Sequence, residues 1–127
     1  MKGSEVIPAL SVLNERCNMD DKIKKIRELN DQFRKTFCGG KVLRTVGVAS
    51  LPTQEQAAIL AMVQGFDDFN KSNDPYGEHD FGSFDFDGIT YFWKIDYYDH
   101  DYLYISPDAA DPNVTNRVLT IMRADEY

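Results

Sequence analysis

Ser83-Phe84-Asp85-Phe86-Asp87-Gly88-Ile89-Thr90-Tyr91-Phe92-Trp93-Lys94-Ile95-Asp96-Tyr97-Tyr98 reads as two alternating runs either side of an Asp-Gly pair. Period-two alternation sends successive side chains to opposite faces of a strand, and Asp-Gly suits the positive φ angles of a type I′ turn. The stretch is therefore predicted to be an antiparallel hairpin, residues 83–86 against 89–98. A two-residue turn sets the register: Phe86 faces Ile89 and Phe84 faces Tyr91. Trp93 and Ile95 continue that side, which is the expected core face. On the other face the same register places Phe81 across from Lys94 and His79 across from Asp96.

Working outward, Asn70 to Gly77 is dense in Asn, Asp, Pro and Gly and reads as a loop. Before it, Pro52 and Thr53-x-x-Gln56 have the form of a capping box opening a helix, with Ile59, Met62, Val63, Phe66 and Phe69 as its buried stripe. Lys41 to Val48 is short and β-branched and predicts a strand. An earlier helix is expected from Asp20-Asp21, whose carboxylates suit the positive end of the helix dipole, to the Gly39-Gly40 stop. Its apolar stripe is Ile23, Ile26, Leu29 or Asn30, Phe33 and Phe37, with Lys24, Lys25, Arg27 and Arg34 turned outward. Residues 1–19 show no sustained period and read as a flexible lead-in to a single domain over 20–127. After the hairpin, Asp99-His100-Asp101 is expected to turn the chain into a strand from Tyr102 to Ser106. Asp111-Pro112 then starts a last helix burying Val114, Val118, Ile121 and Met122. The fold class is α+β, an antiparallel meander with helices packed mainly on one face, in the order α-β-α-β-β-β-α.

Composition narrows the function classes. A chain of 127 residues with 43% hydrophobic and 28% charged residues can build one core. No apolar run approaches a membrane span, and the first twelve residues lack the form of a signal peptide, so a cytoplasmic location without membrane partners is expected. Cys17 and Cys38 are far apart, with neither a disulfide framework nor a base marking a catalytic thiol. Charge is uneven: residues 1–44 carry ten Lys/Arg against six Asp/Glu, whereas residues 45–127 carry four against fifteen. The acidic part disfavours direct contact with nucleic-acid phosphates and suits a cation or a basic partner surface.

If the Tyr102–Ser106 strand pairs with the hairpin, Tyr104 flanks Asp96, Tyr102 flanks Tyr98 and Ser106 flanks Lys94. One face then collects His79, Lys94, Asp96, Tyr98, Tyr104 and Ser106, with Phe81 and Phe92 among them. Directly opposed residues have Cβ atoms about 5 Å apart, close enough for a His–Asp hydrogen bond that sets the tautomer of a general base. The same pair is also an ordinary register-setting contact on a solvated sheet. Glu78-His79-Asp80 and Asp99-His100-Asp101 offer metal-ligand types, but no HxxxH, HExxH or clustered-cysteine spacing accompanies them. No metal or other cofactor is expected.

Three blocks carry a resemblance: Asn73-Asp74-Pro75-Tyr76-Gly77-Glu78-His79-Asp80-Phe81-Gly82, Phe92-Trp93-Lys94-Ile95-Asp96-Tyr97-Tyr98-Asp99, and Arg117-Val118-Leu119-Thr120-Ile121-Met122. Together they resemble a family of small bacterial proteins classed as a domain of unknown function, over roughly residues 22–127. The resemblance implies a bacterial origin and a compact domain, and brings no activity with it.

The leading reading is a binding or regulatory module whose acidic, Tyr-rich sheet face meets a protein or small molecule through Glu78, Phe81, Tyr98, Tyr102, Tyr104 and Ser106. The first alternative is a small enzyme, with His79 as base, Asp96 orienting it and Lys94 as electrostatic stabiliser. The second is an inhibitor whose carboxylates imitate nucleic acid. Oligomeric state is left open.

Overall fold

The computed structural model describes residues 3–127, with side chains described from Met19 onward. Helix α1 spans Gly3–Thr36 and strand β1 Gly40–Arg44; a single turn α2, Val46–Ala49, precedes helix α3, Thr53–Gln64. Strands β2, Phe81–Phe86, β3, Ile89–Tyr98, and β4, Asn116–Arg123, follow, and a 3-10 turn at Ala124–Glu126 closes the chain. The strands form one sheet in the order β1-β4-β3-β2. The β2–β3 and β3–β4 pairs are antiparallel and β1–β4 is parallel, so the fold is α+β with a mixed, mostly antiparallel sheet.

The hairpin has the predicted register. Phe86 pairs with Ile89, Phe84 with Tyr91 and Phe81 with Lys94, and Asp87 and Gly88 adopt φ of 53° and 77°, as a type I′ turn requires. Tyr91, Trp93 and Ile95 point from β3 into the core, joined by Leu119 and Ile121 of β4. Above them lie Phe33 of α1, Val48 of α2, and Ile59 and Val63 of α3, with Phe66 just beyond it. Phe66 meets Trp93 edge-on at 5.5 Å, within the favourable range for aromatic pairs.

Several expectations are corrected. Helix α1 passes through Asp20-Asp21 instead of starting there; the lead-in expected over residues 1–19 falls almost wholly on side chains outside the described residues. The strand expected over Lys41–Val48 stops at Arg44, where the chain turns into α2 and still buries Val48. The Thr53/Gln56 capping box does not form: Pro52 occupies the N-cap position. Gln56 instead donates to the carbonyls of Ala49 and Leu51 and accepts from Arg44. Met62 points outward.

The largest correction is at the C-terminal end. Residues 116–123 are β4, not a helix, and Tyr102 to Ser106 is a loop touching the sheet through one bridge, Tyr98 to Ile105. β4 lies between two other strands, with Leu119 and Ile121 on the helix side and Val118 and Met122, also buried, on the other. A strand buried on both faces loses its alternation, and a continuous apolar run mimics helical spacing. Asp111 accepts a hydrogen bond from the Asn113 amide within a turn instead of capping a helix.

Candidate functional site

The sheet separates two groups of polar residues. On the helix side, Asn30 stands on the apolar stripe of α1 and is fully buried. Its amide nitrogen donates to the Glu78 carbonyl at 3.0 Å and the Tyr97 hydroxyl at 2.8 Å, and its oxygen accepts from Arg117 Nε at 2.8 Å. The Tyr97 hydroxyl donates to Glu78 Oε1 at 2.7 Å. Burial, then the Glu78 hydrogen bond, pushes the Tyr97 phenol far up, and burial holds the Arg117 guanidinium below its usual value. This network joins α1, the loop before β2, β3 and β4.

His79 belongs to the same side. Its φ of 55° turns it out of the β2 extension, and β2 begins only at Phe81. The Asp74 carboxylate accepts from the His79 amide at 3.1 Å and stabilises the turn. The ring stacks on Phe69 with centroids 3.7 Å apart and planes 3° from parallel. Nδ1 lies 2.8 Å from Asp31 Oδ1, and Nε2 lies 3.6 Å from Asp74 Oδ2. The expected cross-strand pairing of His79 with Asp96 is therefore replaced by a His79–Asp31 pair beneath α1. Arg34, expected outside, is 1% exposed: it reaches Asp31 at 3.0 Å and the Phe66 carbonyl at 3.1 Å, and its guanidinium lies 5.2 Å from the ring centroids of Phe69 and Trp93.

Asp80 sits between the two groups. Burial, reinforced by the Glu78 charge, pushes its carboxyl from 3.8 up to about 6. A folded-state pKa above the unfolded value means that the native protein binds the proton more tightly, so Asp80's contribution to stability grows as pH falls from 7 towards 4. Asp80→Asn is expected to raise the thermal midpoint at pH 7 and to flatten its change between pH 7 and 5. A midpoint profile parallel to wild type over that window would refute the assignment.

The open face of the sheet holds the second group. Phe81, Phe92, Lys94, Asp96 and Tyr98 share it, as predicted. Lys94 Nζ lies 2.8 Å from Asp96, and that hydrogen bond holds the lysine above its ordinary pKa. The third strand beside them is β4, so Asp96 flanks Val118, Lys94 flanks Thr120 and Tyr98 flanks Asn116. Tyr104 and Ser106 are thereby displaced from the expected positions. Tyr104 is in an exposed loop stretch with Leu103 and Ile105, and the Ser106 hydroxyl lies 2.7 Å from that of Thr115. Glu78 lies on the helix side.

Tyr102 does reach the face, by another route. With φ of 59° it folds back from the loop, its ring 6.2 Å from that of Tyr98 and 4.2 Å from Lys41 Nζ. Asp99 Oδ1 stabilises the loop by accepting from the amides of Asp101, Leu103 and Tyr104. At the far end Tyr127 packs on Phe92 at 5.6 Å, while Glu126 accepts from the Thr45 hydroxyl at 2.6 Å and the Gly47 and Arg123 amides, each at 2.8 Å. Between these walls is an open recess of about 680 Å³, floored by Val118 and Met122 and flanked by Lys41, Lys94, Tyr98 and Tyr102. Such a volume falls within the range of small-molecule sites.

Asn30 had a signal in the sequence, a polar residue at a position of the apolar helical stripe, whereas Arg117 only heads the run over residues 118–122. Lys41, Thr120 and Glu126 had none, because the β1–β4 neighbourhood brings them together. Among the described residues no group of three or more His, Cys, Asp or Glu side chains could hold a metal ion, and no helix is long and apolar enough to cross a membrane.

Fold and site define a small α+β domain with exposed tyrosines, many acidic residues and a His79–Asp31 contact, an arrangement compatible with binding or with a catalytic dyad. Residues 44–126 match the family model described as protein of unknown function, DUF3768, and the chain belongs to that family of small bacterial domains. No curated protein and no solved structure matches the chain.

Proposed function

We propose that this is a cytoplasmic binding or regulatory domain, functional over residues 20–127, whose ligand enters the recess on the open sheet face. The supporting observation is the recess itself: an apolar floor between tyrosine walls, with polar groups at its margin. Binding sites combine these features because the floor supplies affinity and the few polar groups supply orientation. Phe81, Tyr98 and Tyr102 of the expected binding set border this face, and Lys94 and Asp96 form its central polar pair. Tyr104 stands on the adjoining loop, where it would meet a partner protein.

A second reading, a small enzyme, has a contact in its favour that the first lacks: His79 Nδ1 is 2.8 Å from a carboxylate. Asp31 then takes the orienting role expected of Asp96. Asp74 near Nε2 and Phe69 under the ring would hold the imidazole in place.

A titration of the ¹⁵N-labelled protein with a panel of small aromatic and aliphatic fragments separates the two. Binding predicts amide shifts clustered on the outer residues of β1, β3 and β4, abolished by Thr120→Trp, which fills the recess. Shifts clustered around His79 and Asp31, untouched by Thr120→Trp, would overturn the first reading in favour of the second.

A further inference from the structure

Resting on the binding reading, we infer that the recess selects a small free organic acid, with an apolar or aromatic body and one anionic head read by Lys41. The inference follows from which charges in the recess are already satisfied. Lys94 is neutralised by Asp96 at 2.8 Å. The Glu126 carboxylate is filled by the Thr45 hydroxyl and the two amides of Gly47 and Arg123. Lys41 has only the face of Tyr102, at 4.2 Å, and no carboxylate within 4 Å among the described residues. Lys41 is therefore the charged side chain of the recess left without a hydrogen-bonding partner among the described residues, although residues 45–127 carry fifteen Asp/Glu against four Lys/Arg.

Sheet geometry supplies the body of the site. Lys41 pairs with Val118, which pairs with Asp96, so one row runs cation, apolar floor, carboxylate across three strands. The next row runs Leu43, Thr120, Lys94. With strands about 4.8 Å apart, Lys41 and the Lys94–Asp96 pair stand on opposite sides of the β4 floor. A flat apolar body over Val118 and Met122 would lie between Tyr102 and Tyr127, its acid group at Lys41 and the Thr120 hydroxyl beneath it. A cationic ligand would have to compete with the donors both carboxylates already hold, Lys94 on Asp96 and the Thr45 hydroxyl and two amides on Glu126. A polyanion would meet one open lysine in an acidic surround, too little for phosphate-backbone binding.

Two probes differing only in charge test this on the full chain: 8-anilinonaphthalene-1-sulfonate and its neutral parent N-phenyl-1-naphthylamine. The sulfonate is expected to bind saturably, one per chain, at least tenfold more tightly than the neutral probe. Lys41→Met is expected to abolish the sulfonate's tenfold advantage over the neutral probe; Lys41→Arg should keep it. Equal affinity for both probes, lost together in Thr120→Trp, would overturn the anionic head and leave the binding recess standing. Absence of saturable binding, or binding indifferent to Thr120→Trp in a natively folded protein, would overturn both.

Discussion

Trp93→Ala is expected to destabilise the domain by about 3–5 kcal/mol, the range for truncating a fully buried aromatic residue. Trp93 has no exposed surface. It lies at the centre of β3, with Phe66 and Phe69 edge-on at 5.5 and 6.1 Å and the Arg34 guanidinium on its face. Across the hairpin its partner is Gly82, where any Cβ would collide with the indole, so the strand pair is shaped around this ring. Alanine leaves a cavity that a four-stranded sheet cannot close by sliding, because slipping the register by one residue exposes the whole core face. The indole Nε1 has no hydrogen-bond partner. Trp93→Phe therefore loses volume but no bond, and should cost far less than alanine. Urea denaturation of both variants measures this, and an alanine variant within 1 kcal/mol of wild type would show that the ring does not organise the core.

Asn30→Ala should cost about 3 kcal/mol for a different reason. Little volume is lost. Three groups lose a partner: the Glu78 carbonyl, the Tyr97 hydroxyl and the Arg117 guanidinium. Unsatisfied buried groups cost roughly 1–3 kcal/mol each, and a charged one more. Asn30→Asp provides a control, because a carboxylate still accepts from Arg117 yet cannot donate to the other two. Its stability should fall between wild type and alanine. If alanine matches wild type in chemical denaturation, the network is not what ties α1 to the sheet.

How much of this was legible in the sequence follows from the range over which each signal acts. The hairpin was readable to the residue because Asp87-Gly88 and both alternations are local, and Phe81 does face Lys94. That register also placed Lys94, Asp96 and Tyr98 on one face correctly. Extending it by two residues failed, because His79 adopts a positive φ that is unusual for a non-glycine residue and is stabilised by Asp74, five positions earlier. Arg34 read as an outward charge because of its side chain and not its position, which lies one turn after Asn30 on the buried stripe; Asp31 and the Phe66 carbonyl make its burial tolerable. The β4 run gave the wrong element because burial on both faces erases period two, and the Tyr102–Ser106 strand fell with it. The recess was out of reach, since it depends on β1 pairing with a strand near the other end of the chain.

That parallel pairing also bears on the order in which the chain assembles. The β2–β3 hairpin closes across two residues, a microsecond event, whereas Gly40 must find Arg117 across most of the sequence. Loop-closure entropy disfavours the distant contact, so the hairpin and then β4 are expected to form first, with β1 docking onto an edge already built. Until it does, β4 presents one flank of unpaired amides beside an apolar surface, the kind of edge on which chains associate with one another. Weakening β1 would then speed unfolding more than it slows refolding. Five residues at Gly40–Arg44 thus serve as the bolt on the finished sheet, covering the flank of β4 that would otherwise stand open to another chain.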